Sequence, residues 1–99
     1  MPGVRLGDIA YARSGDKGSG ANIGVAARRA EDYELIRQRL TAARVREFFA
    51  AMEPGEVVRY ELPNLLAVNF VLPKVLAGGN LRVDAQGKGL GQMILEMIL

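Results

Sequence analysis

The spacing of apolar residues over 45–52 constrains the fold of this 99-residue chain more than any other feature. Positions i, i+3, i+4 and i+7, which form one face of an α-helix, are occupied by Val45, Phe48, Phe49 and Met52. A helix with a single apolar face has to bury that face against a second layer of structure. We therefore expect both phenylalanine rings to lie in a core and not to form an exposed stacking platform.

Two signals place another helix directly before this one. The acidic pair at 31–32 suits the positive N-terminal end of a helix dipole. The apolar face that follows consists of Tyr33, Ile36 and Leu40. Thr41 can then cap the start of the next helix, because its hydroxyl can accept a bond from a free main-chain amide.

The C-terminal half is predicted to contain two more helices. The apolar run 65–76 precedes a glycine pair, as helix ends commonly do, and Pro73 implies that this helix begins late or bends. Asn69 within it is expected to have a structural role, its amide paired by hydrogen bonds. Asp84 can cap the closing helix, whose apolar face is Leu90, Met93, Ile94 and Met97. Nearby glycines suit close packing against a neighbour: Gly87, Gly89 and Gly91.

Four segments are predicted to be β-strands. Residues 4–12 form the first, with Gly7 as a candidate bulge. Alternation of apolar with small or charged residues predicts strands over 23–27 and 58–62, the second with one face in water. A helix stays open as the alternative over 23–27. Residues 81–83 suit a short last strand. Four short strands with one-faced helices predict a single α+β domain over residues 1–99, built as a two-layer sandwich.

The polar stretch RSGDKGSGAN, residues 13–22, is the main candidate functional segment. Main-chain amides in a glycine-rich turn can form an anion-binding nest, to which Arg13 or Lys17 would add charge. The stretch lacks the spacing of a P-loop or of a dinucleotide-binding fingerprint. A plain surface hairpin is therefore the alternative, and both interpretations stay open. The candidate ligand-binding residues are Arg13, Ser14, Asp16, Lys17 and Asn22.

The composition excludes several kinds of chemistry. The chain has no Cys, His or Trp, which removes disulfides, thiol nucleophiles, Cys/His zinc sites and the commonest general base. It also has no calcium-loop motif and no carboxylate pair at a spacing that suggests acid–base catalysis. We expect no metal and no cofactor, and a self-contained enzyme is the less favoured interpretation.

The charge pattern bears on the partners of the chain. The net charge is +2, but the basic residues neither cluster along one face nor alternate with aromatics, so a nucleic-acid partner is not expected. No apolar run approaches the roughly 20 residues of a membrane-spanning helix, so no membrane association is expected either. The N-terminal residues lack the apolar segment of a signal peptide, which predicts a cytoplasmic protein.

Four ordered blocks of the sequence resemble the small C-terminal domain of the acyclic terpene utilisation A (AtuA) family. The blocks span about residues 4–98 and read LGDIAYARSGDKGSGANIGVAARR, LTAARVREFF, RYELPNLLAVNFVL and LRVDAQGKGLGQMILEM. The resemblance implies a ferredoxin-like fold, in agreement with the α+β sandwich. One departure is Pro73, which stands where the family pattern has a histidine.

The resemblance also implies a role. Larger members of this family join the small domain to a long N-terminal domain and are associated with bacterial breakdown of acyclic terpenes through acyl-CoA intermediates. The chain is therefore expected to be a small subunit that assembles with itself or with a large AtuA-like subunit, segment 13–22 contributing to a shared site. The alternative is a small enzyme or binder of CoA thioesters or other anions. Arg13 and Lys17 would then meet phosphate or carboxylate, with Asp16 as a possible base.

Overall fold

The computed structural model describes residues 3–17, 20–74 and 89–99, with the side chains of all but residues 16 and 17. Its helices and strands, in chain order, are α1 (Leu6–Ile9), β1 (Ala10–Lys17), β2 (Gly20–Ala27), α2 (Ala30–Arg39), α3 (Ala42–Phe48), β3 (Val58–Leu62), β4 (Ala67–Leu72) and α4 (Leu90–Ile94). Two short 3-10 helices, Ala50–Met52 and Pro63–Leu65, precede β3 and β4.

The four strands form one sheet in the order β1-β2-β4-β3, and every neighbouring pair is antiparallel. Leaving aside the short α1, the described elements follow the order strand, strand, helix, strand, strand, helix, with α2 and α3 as a broken helix. This is the β-α-β-β-α-β order of the ferredoxin-like fold with its last strand moved to the front. The predicted α+β class and ferredoxin-like architecture are confirmed.

The core lies between the sheet and its helices. Helices α2 and α4 both contact β2, and α4 also contacts β1. Ile23 and Val25 of β2 are fully buried on this side, as are Val68 and Phe70 of β4. On the helix side, the completely buried side chains include Leu6, Ile36, Val45 and Ile94, together with Leu40 at the C-cap of α2. Alternate residues of the central strands therefore supply one layer of the core, and the helix faces predicted from apolar spacing supply the other.

The predicted restart at Thr41 is confirmed. The Thr41 hydroxyl accepts a hydrogen bond from the main-chain amide of Arg44 at 3.2 Å, which caps the first turn of α3. The expectation for the two phenylalanines is only half correct. Phe49 is buried, whereas Phe48 is 41% exposed and meets Phe49 edge to face at a centroid distance of 5.0 Å.

The prediction of a strand over residues 4–12 is wrong at its start. Residues Leu6–Ile9 form a single helical turn, and β1 begins at Ala10. Leu6 and Ile9 are both buried, and a spacing of three residues brings both to one side only in a helix. Gly7 belongs to this turn, not to a bulge, and its amide donates to the carbonyl of Leu95 at 2.7 Å.

The prediction of a helix over residues 65–76 is also wrong within its described part, residues 65–74. The 3-10 helix Pro63–Leu65 ends at Leu66, whose left-handed conformation (φ 53°) turns the chain into β4. Burial then alternates along β4 with the two-residue period of a strand, and Pro73 directly follows its last residue.

The predicted strand 81–83 and the predicted cap Asp84 lie outside the described residues. Helix α4 begins at Leu90. At its N-terminal end, the Gln92 side chain accepts a hydrogen bond from the main-chain amide of Gly89.

The predicted strand over residues 58–62 is confirmed as β3, but its apolar side faces away from the core. Its three apolar side chains are exposed, 41% for Val58, 53% for Tyr60 and 39% for Leu62. Arg59 is the residue that turns towards the helices, where its guanidinium donates to the carbonyls of Arg37 and Leu40 at the end of α2. The apolar residues of β3 consequently lie on the side of the sheet opposite the core.

Candidate functional site

The polar stretch at 13–22 is a hairpin of two paired strands. Strand β1 runs to Lys17 and β2 begins at Gly20, with Lys17 opposite Gly20 in the ladder. The segment therefore has the shape of a hairpin, and its described polar residues lie on strands and not on an extended loop. Binding by this hairpin stays a prediction. Successive side chains of a strand point to opposite sides of the sheet. The predicted site is therefore divided between two faces.

Ser14 lies on the helix-facing side. Its hydroxyl accepts a hydrogen bond from the Gly91 amide in α4 at 3.2 Å. A Cβ on Gly91 would lie 3.3 Å from the Ser14 nitrogen and 3.4 Å from the Ala12 carbonyl group, so the backbones of β1 and α4 approach closely. The expected close packing of a glycine in this region is confirmed at Gly91, and Ser14 connects the sheet to a helix.

Arg13 and Asn22 lie on the opposite side of the sheet. Asn22 Nδ2 faces Asn69 Oδ1 of β4 at 3.5 Å, the outer limit of a hydrogen bond. A Cβ on Gly15 would lie 3.0 Å from Asn22 Oδ1, so this glycine leaves room for the amide. The expectation of a helical Asn69 is corrected here. The sequence signal for a strand is the alternation of Val68, Phe70 and Leu72, but this alternation does not by itself give the pairing with Asn22.

The remaining two candidates are only partly placed. The backbone of Asp16 pairs with Ala21 and that of Lys17 with Gly20. The side chains of both lie outside the described residues. Their predicted role in binding stays a prediction.

The strand register arranges the side opposite the helices into three rows, which we call the open face. Each row crosses the sheet from β1 to β3 through β2 and β4. The first row is Tyr11, Ala26, Ala67 and Leu62; the second is Arg13, Gly24, Asn69 and Tyr60; the third is Gly15, Asn22, Val71 and Val58. Small residues and amides occupy much of the centre, and the largest side chains stand on the two edge strands.

The open face is both cationic and apolar. The guanidinium of Arg28 stacks over the Tyr11 ring at 4.1 Å from its centroid. Arg13 makes no ion pair within the part of the chain that the structure describes. None of the described residues in the three rows is acidic. This combination suits an anionic group at the β1 edge and an apolar group at the β3 edge.

Two shallow pockets indent the open face. One of about 300 Å³ lies at the hairpin end and is lined by Gly20, Ala21, Asn22, Asn69, Val71 and Pro73. The other, of about 420 Å³, lies against β1 and includes Arg13 and Gly24. A third groove on the helix side includes Arg44 and Phe48, but Arg44 already donates to the carbonyls of Arg39 and Ile98. Arg13, by contrast, has no ion-pair partner among the described side chains, which favours the open face as the candidate site.

The described residues contain no group of three or more side chains able to hold a metal ion. Within the same ranges, no helix combines the length and apolar character that crossing a bilayer requires. The open face has the residues of a binding surface: a guanidinium, two amides and exposed aromatic rings.

Comparison with known proteins supports the ferredoxin-like architecture. A family model described as the AtuA ferredoxin-like domain matches residues 4–99, which is nearly the whole chain. No curated protein and no solved structure matches it. The chain belongs to the AtuA ferredoxin-like domain family.

Proposed function

We propose that the chain is an accessory domain of an AtuA-type protein that docks onto a large AtuA-type chain through its open face. Arg13 and Asn22, together with Asn69, contribute polar groups to a site shared with that chain. Lys17 joins them from the hairpin end, and the predicted part of Asp16 in binding stays a prediction. We place this role in the cytoplasm and, as the family resemblance suggests, in bacterial acyl-CoA catabolism.

One observation carries the proposal: the exposed apolar side chains of the described residues concentrate on the open face. Four of the seven large hydrophobic residues that are exposed stand there, namely Tyr11, Val58, Tyr60 and Leu62. Three of them, Val58, Tyr60 and Leu62, form a contiguous apolar stripe along β3. A contiguous apolar surface typically marks an interaction site, whereas single exposed apolar residues do not. Aromatic residues and arginine are also the residues enriched at the centres of protein interfaces.

The polar groups of the open face support the shared site. The Asn22 and Asn69 amides use only one donor and one acceptor on each other, so each keeps hydrogen-bonding capacity. Arg13 in the neighbouring row adds a planar cation suited to a carboxylate or phosphate. A surface this shallow requires a second protein wall to enclose a small molecule.

Co-purification tests the proposal. The tagged chain is expressed with a large AtuA-type chain from the same genome, and the retained large chain is measured. We expect retention by the wild type and at least about tenfold weaker binding for Tyr60→Ala, because truncating a buried aromatic anchor typically costs that much. The matched control is Leu65→Ala, which removes a residue 68% exposed outside the open face. No retention by the wild type, or equal retention by Tyr60→Ala, overturns the proposal.

The position of Arg13 favours a second candidate function, binding of CoA thioesters or other anions by the chain alone. The guanidinium borders a pocket of about 420 Å³ and has no acidic partner among the described side chains. Calorimetry with CoA and with an acyl-CoA tests it in the wild type, Arg13→Ala and Lys17→Ala. Arg46→Ala, on the exposed side of α3, is the matched control. Absence of heat with the wild type, or unchanged affinity in both site variants, removes this candidate.

A further inference from the structure

Gly24 lies at the centre of the open face, where neither its backbone conformation nor the described neighbouring atoms require a glycine. Its φ is not in the left-handed region, and a Cβ there would lie 3.6 Å from Asn69 Oδ1, an ordinary contact. Gly20 differs, because a Cβ there would lie 2.8 Å from the carbonyl oxygen of Pro73. Glycine inside a strand weakens the strand and often marks a place where another backbone or a ligand approaches closely.

We propose that, when no large chain is bound, a second copy of this chain covers the open face and fills the space above Gly24. The inference rests on the proposed function, because both use the open face as the docking surface. It adds a second copy of the chain as another partner for that face. The two occupants exclude each other, so self-pairing competes with docking of the large chain.

The order of residues in the central row carries this inference. The row reads Arg13, Gly24, Asn69 and Tyr60 from β1 to β3. Consider two copies whose open faces meet, related by a two-fold axis that lies between the two sheets and runs parallel to the strands. The row of the second copy then runs in the reverse order above the row of the first. Asn69 of one copy then stands over Gly24 of the other, and Tyr60 stands over Arg13. The protruding amide meets the glycine of this row, and the ring meets a guanidinium that has no ion-pair partner among the described side chains.

The neighbouring rows obey the same symmetry. In the third row, reversal places Val58 over Gly15, again a branched side chain over a glycine. In the first row, it places Leu62 over Tyr11, and the two alanines over each other. Small residues at the contact allow facing sheets to approach the roughly 10 Å separation of a packed sandwich.

The other two-fold axis, running across the strands, is disfavoured. It would place β1 over β1, so that the central row meets itself without reversal. Arg13 would then face Arg13, and like charges brought together in an interface are strongly unfavourable. Gly24 would face Gly24, which leaves the space above both unfilled. The charge and the shape of the face therefore select the axis along the strands.

Sedimentation velocity of the chain alone tests the inference. We expect a concentration-dependent dimer for the wild type and at least about tenfold weaker pairing for Gly24→Val, which fills the space that the partner's Asn69 needs. Thermal unfolding checks that Gly24→Val is folded, and Tyr60→Ala is the second variant if it is not. Leu65→Ala is the matched control and is expected to dimerise as the wild type does. A chain that remains monomeric at all concentrations, or a dimer insensitive to both face variants, overturns the inference.

The absence of cysteine makes the geometry testable by cross-linking. A mixture of Gly15→Cys and Val58→Cys chains is treated with a short bismaleimide, so that each copy supplies one thiol. We expect the mixed cross-link between 15 and 58, and little product when Leu65→Cys replaces Val58→Cys. Equal products in the two mixtures contradict the proposed axis. A monomeric chain that still retains the large chain refutes this inference and leaves the proposed function standing.

Discussion

The Arg59 guanidinium donates a hydrogen bond from Nη1 to the main-chain carbonyl of Arg37, 2.9 Å away at the C-terminal end of α2. The same nitrogen lies 3.3 Å from the carbonyl of Leu40, and Nη2 lies 2.9 Å from a carboxylate oxygen of Glu61. The last carbonyls of a helix have no partner within the helix, so a side chain from β3 satisfies them here. This contact holds the Arg59 side of β3 against the helix layer.

We predict that Arg59→Ala destabilises the fold by about 2 kcal/mol, because hydrogen bonds from a charged, partly buried group are worth roughly that much. Urea unfolding measures the change. Arg46→Ala is the matched control, since Arg46 is exposed on α3, and it is expected to stay within about 0.5 kcal/mol of wild type. Equal midpoints for the two variants would show that the Arg59 contact does not support the helix end.

The reversed face of β3 shows what the sequence could not provide. Alternation predicted the strand correctly, but either side of an alternating strand can face a core. Ordinary hydropathy favours Val58 and Tyr60 inside and Arg59 in water. The unpaired carbonyls at the end of α2 reverse this preference, and they become partners only once helix and sheet are packed together.

Other parts of the fold were predictable because their signals are local. The helix faces and the cap at Thr41 depend only on residues within one or two turns. Their prediction therefore needs no knowledge of how distant parts of the chain pack. The error over 65–76 arose because a short apolar run suits a buried strand as well as a helix. With Asn69 assigned to a helix, its position beside Asn22 could not be predicted. Arg13 and Asn22 were found from their polar, glycine-rich context, but the face they share depends on the register.

Ser14→Ala tests whether the hydroxyl is structural. Its substitution leaves the Gly91 amide without its acceptor, so we predict a loss of about 1 kcal/mol in unfolding free energy. Arg13→Ala, one residue away on the open face, is expected to change stability by less than about 0.5 kcal/mol. A Ser14→Ala variant as stable as wild type but weaker in binding would instead assign Ser14 to the site.

Two glycines of β2 are predicted to respond oppositely to alanine. A Cβ on Gly20 meets the main-chain carbonyls of Pro73 and Leu72 at 2.8 and 3.0 Å, so the end of β4 has to move. We expect Gly20→Ala to cost about 2 kcal/mol, as strained small-to-large changes do. Gly24→Ala is expected to be neutral or to stabilise by up to about 1 kcal/mol, because alanine has less backbone freedom to lose. Thermal unfolding of the two variants is compared at a concentration where the chain is monomeric. A lower melting temperature for Gly24→Ala than for Gly20→Ala would contradict this prediction.

The pH dependence of stability has an identifiable contribution from Glu34. Hydrogen bonds from Arg37, and then from Gln38, lower the pKa of the Glu34 carboxyl from 4.5 to about 2. A carboxyl with a lowered pKa in the fold stabilises it above its unfolded pKa, and this stabilisation is lost as the pH falls towards 2. The pair is exposed, so the effect is small and screened by salt.

Glu34→Gln isolates this contribution. We predict that wild type unfolds at a slightly higher temperature than Glu34→Gln at neutral pH, and that the difference shrinks between pH 4.5 and 2. High salt is expected to reduce the difference at neutral pH. A difference that stays constant down to pH 2 is incompatible with the lowered pKa.

Hydroxyl-radical footprinting of Tyr11, Tyr60 and Phe48 tests the central claim most directly, that the open face is the docking surface for a large AtuA-type chain. All three rings are exposed, the tyrosines on the open face and Phe48 on the helix side. Comparing the dilute chain with its complex with the large chain, we predict several-fold protection of both tyrosines and unchanged labelling of Phe48. Protection of Phe48 with both tyrosines still fully labelled would contradict the claim.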